Sequence, residues 1–273
     1  MQTLSVNGYD MAYLEVGEGP PLLCVHGTLG DFRTWSAVFG PLSKTRRVIA
    51  VSLRHFFPEH WNGVGDDYSI AQHVADVIAF LEELDAGPAD LMGHSRGGHI
   101  AFRAAQRRPD LLRKLILAEP GGECDATLDP AAVPGPSPLG VRIAAAAEKI
   151  GTGDVEGGLT LFFDGIEGTG AWARLPATPK QQLRDNVFTL LGQIGDKRPP
   201  FSRVDAASIG MPTLFIGGAD TRGTLPHVLR TLAAHVPGAK TAMISGASHW
   251  MFDQAPQEFC EIVLEFLGEF LGE

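Results

Sequence analysis

The sequence predicts an α/β protein, a mostly parallel sheet flanked by helices and interrupted by a helical insertion. Three observations carry this. From residue 21 to residue 118, apolar runs of strand length alternate with stretches of helical spacing, the pattern of βαβ units. The same alternation resumes at residue 212 and continues to the last helix. Between them, residues 121–208 lose the strand rhythm. They begin with clustered Pro130, Pro134, Pro136 and Pro138 and go on with helical patterns.

The elements follow in order. Residues 1–20 read as two short strands around Asn7-Gly8, an antiparallel hairpin. Residues 21–25 are a buried strand in which Cys24 is a small core hydrophobe. The loop His26-Gly27-Thr28-Leu29-Gly30 follows, then a short helix over 31–39 and a strand over 47–53. Residues 54–67 form a loop rich in aromatics and histidine. Ser69 is placed to cap a helix over 70–84, with Ile70, Val74, Val77, Ile78 and Leu81 on one face. Residues 89–92 are a strand, 99–108 continue a helix that Pro109 ends, and 114–118 are the next strand. In the insertion, 144–150, 158–163 and 180–191 are the helix candidates, and 196–201 are the return linker. Residues 212–216 and 240–244 are strands around a helix over 225–236. The last helix spans 256–271, with Phe259, Ile262, Val263, Phe266 and Phe270 on its apolar stripe. The expected division is a core of 1–120 and 209–273 and an insertion of 121–208.

Composition removes several classes of function. The net charge of -10 disfavours a phosphate backbone or an anionic membrane surface as partner, though a local basic site is compatible with it. The three cysteines, without a C-x-x-C pair, suggest a reducing compartment rather than a disulfide framework. Residues 1–10 lack the basic and apolar regions of a secretion signal, and no apolar run approaches the roughly 18 residues of a membrane span. The expectation is a cytoplasmic monomer or homodimer.

The chemistry centres on Gly93-His94-Ser95-Arg96-Gly97-Gly98. A serine flanked by glycines, between an apolar run and a helix, fits a tight strand-to-helix turn that exposes its hydroxyl. A serine hydroxyl is a weak nucleophile unless a base takes its proton and an acid orients that base. His249, after the last strand, is the candidate base. Asp220, after the preceding strand, is the first candidate acid, and Glu119 at the end of 114–118 is the alternative. In a parallel sheet all these loops fall on one edge. The backbone N–H groups of Thr28 and Arg96 are placed to hold a developing oxyanion.

Four features on one edge, in the order Ser95, Asp220, His249 with His26-Gly27 upstream, resemble the α/β-hydrolase superfamily over essentially the whole chain. Asp31, Trp35, Gly217-Gly218-Ala219-Asp220 and Ser248-His249 belong to the same likeness. It is similar in particular to the small bacterial carboxylesterases, lactonases and haloperoxidase-like enzymes. The resemblance implies a mostly parallel eight-stranded sheet with a helical cap after strand six, and neither cofactor nor metal. The activity it implies is cleavage of a small-molecule ester or lactone through an acyl-enzyme. A cofactor-free perhydrolase, a carbon–carbon bond hydrolase and a non-catalytic ligand-binding protein are the competing expectations. The chain departs from many relatives at residues 51–60, which lack their D-x-x-G-x-G-x-S loop.

His26 and His94 are expected to brace loops rather than to react. The Arg96 side chain is expected either to pair with an acid or to touch substrate. Arg54, His55, Trp172 and Trp250 are the candidate pocket residues.

Overall fold

Residues 1–65, 67–84, 87–133 and 135–268 are described by a computed structural model. The chain opens with a hairpin of β1 (Gln2–Val6) and β2 (Tyr9–Val16). Asn7 and Gly8 take φ of 50° and 73°, the left-handed pair that a two-residue turn of matching twist requires. Six parallel strands follow: β3 (Pro21–Val25), β4 (Arg47–Val51), β5 (Ala89–His94), β6 (Leu112–Ala118), β7 (Thr213–Gly218) and β8 (Lys240–Ile244). The sheet order is β1-β2-β4-β3-β5-β6-β7-β8, with β2 antiparallel to β4. The carboxyl ends of β3 to β8 therefore share one edge.

Both faces of the sheet are covered, so its parallel strands are apolar on both sides rather than alternating. Leu23 and Val25 face a core made with α2 (Ile70–Glu83), α3 (Arg96–Arg107) and α10 (Leu225–Ala233). Leu22 and Cys24 face the opposite core, against α1 (Ser36–Leu42) and α12 (Pro256–Leu267). Ser69 caps α2 by accepting from Gln72 N–H, as its position predicted. Residues 31–39 differ in detail: a 3-10 turn, Phe32–Trp35, precedes α1 because the Asp31 carboxylate captures the Arg33 N–H and tightens the entry.

Between β6 and β7 the chain forms α4 (Pro138–Gly151), α5 (Val155–Glu167), α6 (Ala171–Arg174), α7 (Ala177–Asp185), α8 (Thr189–Ile194) and α9 (Arg203–Ala207). The helix expected over 180–191 is two. Asn186 separates them by giving its side chain to Leu29 O, Asp31 and Phe57 N–H on the core. Packing of Ala147, Ile150, Leu159, Phe162, Phe163 and Trp172 gives this cap its own core. Leu29, from the loop after β3, inserts into it and ties the cap to the strand edge.

Pro134, and Phe270 with the end of the expected last helix, lie outside the described residues. α12 is preceded by a separate short helix, α11 (Met251–Gln254). Among the described residues no helix is long and apolar enough to cross a membrane.

Candidate active site

β5 delivers Ser95 to the strand edge at φ 53° and ψ -118°. That conformation is unfavourable for any residue with a Cβ and persists only where the surroundings enforce it. The enforcement is visible. Ser95 N–H donates to Ala118 O at 3.0 Å, and Ser95 O accepts from Gly121 and His99 N–H at 2.8 and 3.1 Å. The flanking glycines are sterically required. A Cβ on Gly93 would stand 2.3 Å from Gly97 O, and one on Gly97 would stand 2.2 Å from Val25 O. Strand, turn and helix are thus pressed together at van der Waals limits around the serine.

His249 lies in the loop after β8 and is buried. Its Nδ1 is 2.6 Å from Glu119 Oε2. A carboxylate accepts only, so in the neutral imidazole this contact places the proton on Nδ1 and the lone pair on Nε2. Glu119 is fully buried at φ 42°, and its Oε1 accepts from Gly218 N–H at 3.0 Å. Ser95 and His249 line one cavity with Thr28, without a direct hydrogen bond between serine and imidazole.

The first candidate acid is corrected. Asp220 is exposed, on the far side of the loop, and among the described residues its carboxylate bonds to nothing. Its backbone N–H is engaged by Ala247 O, which turns the side chain outward beside Arg222 and Gly246. Glu119 holds the position expected of Asp220. β6 and β7 are neighbours, so either strand end can reach beneath the β8 loop.

The supporting histidines brace loops. His26 donates from Nδ1 to Gly27 O at 2.8 Å and accepts Leu53 N–H on Nε2 at 3.0 Å, joining the β3 and β4 loops. Burial pushes its pKa down to about 4. His94 donates from Nε2 to His249 O at 2.9 Å, and its ring centroid is 4.4 Å from that of His249. Burial and the neighbouring His249 push His94 well below the ordinary range, so it stays neutral. Among the described residues, the N–H groups of Thr28 and Arg96 donate to no atom of the chain. Thr28 lines the cavity, and the Arg96 nitrogen lies against Gly121, which lines it too.

The Arg96 side chain pairs with Asp196 at 2.8 Å and lies over Tyr68, so it fastens the cap to α3. Three candidate pocket residues are misplaced. Arg54 is buried against Asp76, with bonds of 2.9 and 3.0 Å. His55 stacks on Trp61 at 4.4 Å and bonds to Glu59 and Asp67. The 54–61 loop is thus folded onto α2 by its own ion pairs. Trp172 is buried in the cap core against Phe163, its Nε1 donating to Glu156. Trp250 does line the cavity, edge-on to His249.

The sequence reading missed Arg198, in the return linker, which lines the cavity with Gly121, and cap residues Leu139 and Ile143; Phe162, open in the sequence between a substrate wall and the cap's own core, lines the cavity as well. A charged linker of ordinary composition gave no signal that it turns inward. The cavity that Ser95 and His249 line is small, about 30 Å³. It shares Thr28, His94 and Trp250 with a larger cavity of about 630 Å³ under α7, lined by Leu175, Pro176 and Gln182.

Comparison with known proteins fits this architecture. An uncharacterized protein of Mycobacterium tuberculosis is 33% identical over 126 residues, 45% of this chain. The chain covers only 35% of that protein's length. The 2-hydroxymuconate semialdehyde hydrolase of Pseudomonas putida is 27% identical over 96% of this chain and 92% of that one. The enol-lactonase of Burkholderia xenovorans LB400 superposes with a TM-score of 0.80 over 98% of this chain and all of its own, at 21% identity, a likeness of fold. The model of the alpha/beta hydrolase family matches residues 22–262, so the chain, with its glycine-flanked serine turn and eight-stranded sheet, belongs to the alpha/beta hydrolase family.

Proposed function

We propose that the protein hydrolyses a carboxylic ester or lactone through an acyl-enzyme, with Ser95 as nucleophile, His249 as base and Glu119 as the orienting acid. The observation that carries this reading is the pairing of His249 Nδ1 with the buried Glu119, while His249 lines the same cavity as Ser95. Ser95 Oγ attacks the carbonyl carbon while its proton passes to His249 Nε2. The oxyanion is held by the Thr28 and Arg96 N–H groups. Glu119 fixes the tautomer and stabilises the imidazolium. Collapse of the tetrahedral species expels the alkoxide, which takes the proton from Nε2. Water then attacks the acyl carbon, giving its proton to Nε2 and, through a second tetrahedral species, releasing the acid and restoring Ser95.

The small cavity between Ser95, Leu139 and Phe162 fits a short acyl group, and the larger one fits the leaving group. A second reading has one specific support. The full-length relative from Pseudomonas putida is named for cleaving a semialdehyde, which makes carbon–carbon hydrolysis on the same residues the alternative. A panel of esters and lactones, run beside a vinylogous diketone, separates the two. Labelling of Ser95 by a fluorophosphonate, lost in Ser95→Ala, tests the nucleophile. An unlabelled wild-type protein would overturn both readings.

A further inference from the structure

Arg198 is the unexplained charge in this site. It lines the cavity of Ser95 and His249, yet among the described residues its guanidinium has no hydrogen bond and no ion pair. Its acidic neighbours are committed elsewhere. Asp196 pairs through Oδ2 with Arg96 and accepts Ile70 N–H on Oδ1. Glu123 accepts Ser137 N–H at 2.7 Å. Burial and the adjacent Arg96 cation push the Arg198 pKa down to about 10, the strain of a cation short of counter-charge.

Gly121 shows where the guanidinium stands. A Cβ at Gly121 would lie 3.4 Å from Arg198 Nη1, 3.3 Å from the Arg96 nitrogen and 3.2 Å from the Ser95 carbonyl carbon. The missing side chain leaves a gap bordered by the Arg198 cation on one side and the Arg96 oxyanion donor on the other. An unpaired guanidinium within about 7 Å of the Arg96 N–H suits a planar anion better than a neutral chain. A site of about 30 Å³ limits what separates that anion from the carbonyl to a few carbons.

We propose that Arg198 is a specificity-determining residue that receives a carboxylate on the acyl part of the substrate, so that the site takes short acyl groups carrying a negative charge. This rests on the reading of Ser95 as nucleophile. It also gives an acidic protein a reason to keep a bare arginine in its cleft.

The test compares monoethyl succinate with its neutral isostere ethyl succinamate, both followed by proton release. Wild-type protein is expected to show a higher kcat/KM on the succinate ester. In Arg198→Ala the ratio of the two kcat/KM values is expected to fall by roughly 10- to 100-fold, the size of a charge-assisted contact. Arg198→Lys, which keeps the charge but not the planar fork, is expected to fall between and serves if the alanine variant does not fold. A wild-type ratio at or below one, or a ratio that neither variant changes, overturns the proposal and leaves ester hydrolysis standing. Succinate binding to Ser95→Ala protein, by titration calorimetry, separates the two claims. If neither ester is hydrolysed, the reaction assigned to Ser95 fails. Loss of succinate binding on adding Arg198→Ala then still supports the anion site, and absent or unchanged binding overturns it.

Discussion

Replacing Glu119 by glutamine distinguishes a catalytic acid from a structural one, because both its oxygens are in use. Oε2 takes the His249 Nδ1 proton at 2.6 Å and Oε1 takes the Gly218 N–H at 3.0 Å. A glutamine can keep only one of these. If its oxygen stays on Gly218 N–H, its amide nitrogen faces Nδ1, and two donors meet unless the imidazole changes tautomer. The proton then sits on Nε2, the nitrogen that must accept from Ser95. If the amide turns over, its NH₂ opposes Gly218 N–H in a fully buried spot, at a cost of roughly 1–3 kcal/mol. Either way the negative charge opposite the imidazolium is gone. Loss of an orienting carboxylate with its geometry intact lowers kcat by roughly 10³- to 10⁴-fold, about 4–5.5 kcal/mol of barrier at 1.36 kcal/mol per tenfold. Asp220→Asn, which alters an exposed carboxylate, is expected to stay within about twofold. The assay is kcat on the best ester found, with a thermal melt of each variant to show that it is folded. A folded Glu119→Gln within tenfold of wild type, beside an Asp220→Asn that loses a thousandfold, would refute the reasoning.

Three further outcomes follow from the same contacts. Ser95→Gly removes the Cβ from a backbone held at φ 53° and is expected to melt above Ser95→Ala, by roughly 1–3 kcal/mol of stability, both being inactive. Equal melting temperatures would mean the turn is not strained. Arg54→Ala leaves Asp76 buried with an uncompensated charge, and denaturant unfolding is expected to show a loss of roughly 3–5 kcal/mol. Its kcat/KM is expected to change little, whereas a loss specific to turnover would return Arg54 to the pocket. His26 stays neutral in the fold down to about pH 4, while the unfolded chain protonates it near its ordinary value of 6.5. Its contribution is therefore complete above about pH 6.5 and is lost as the pH falls toward 4, roughly 3 kcal/mol in all. His73, His94 and His99 are displaced in the same direction. The melting temperature should fall steadily from pH 7 to pH 4.5, less steeply in His26→Gln. A flat profile would contradict the neutral state of these rings.

Much of the fold was legible in the residues because parallel strands and their helices are local patterns. Leu22 to Val25, Ala89 to Met92 and the α2 stripe declare themselves by period and length. The cap was legible only as a change of rhythm. Its α7–α8 break depends on Asn186 reaching Asp31, a contact 155 residues away in sequence that no local pattern encodes. Arg54 and His55 misled for the same reason. An aromatic, charged loop next to a site resembles a pocket wall until Asp67 and Asp76 are seen to claim its charges.

The acid was ambiguous in the sequence for a reason that lies in the sheet itself. β6 and β7 pair in parallel, with Ala118 opposite Ile216, so Glu119 and the loop after Gly218 leave the sheet side by side. Either can underlie His249. The decision rests on backbone direction. Glu119 takes a left-handed φ of 42° at the strand end, inside the fold beside β7, and Gly218 N–H fixes it there. Asp220 is two residues further along, past the point where Ala219 N–H and Asp220 N–H bond to Ile244 O and Ala247 O. Those bonds tie its loop to the β8 side and leave its side chain in solvent. The β8 loop approaches the other side of Gly218: a Cβ there would stand 2.3 Å from Ser248 O, so the β7 end must be bare for the His249 loop to settle on it. Gly218, read from sequence as part of the approach to an aspartate, makes room for the Ser248 backbone, while its N–H holds the glutamate of the neighbouring strand.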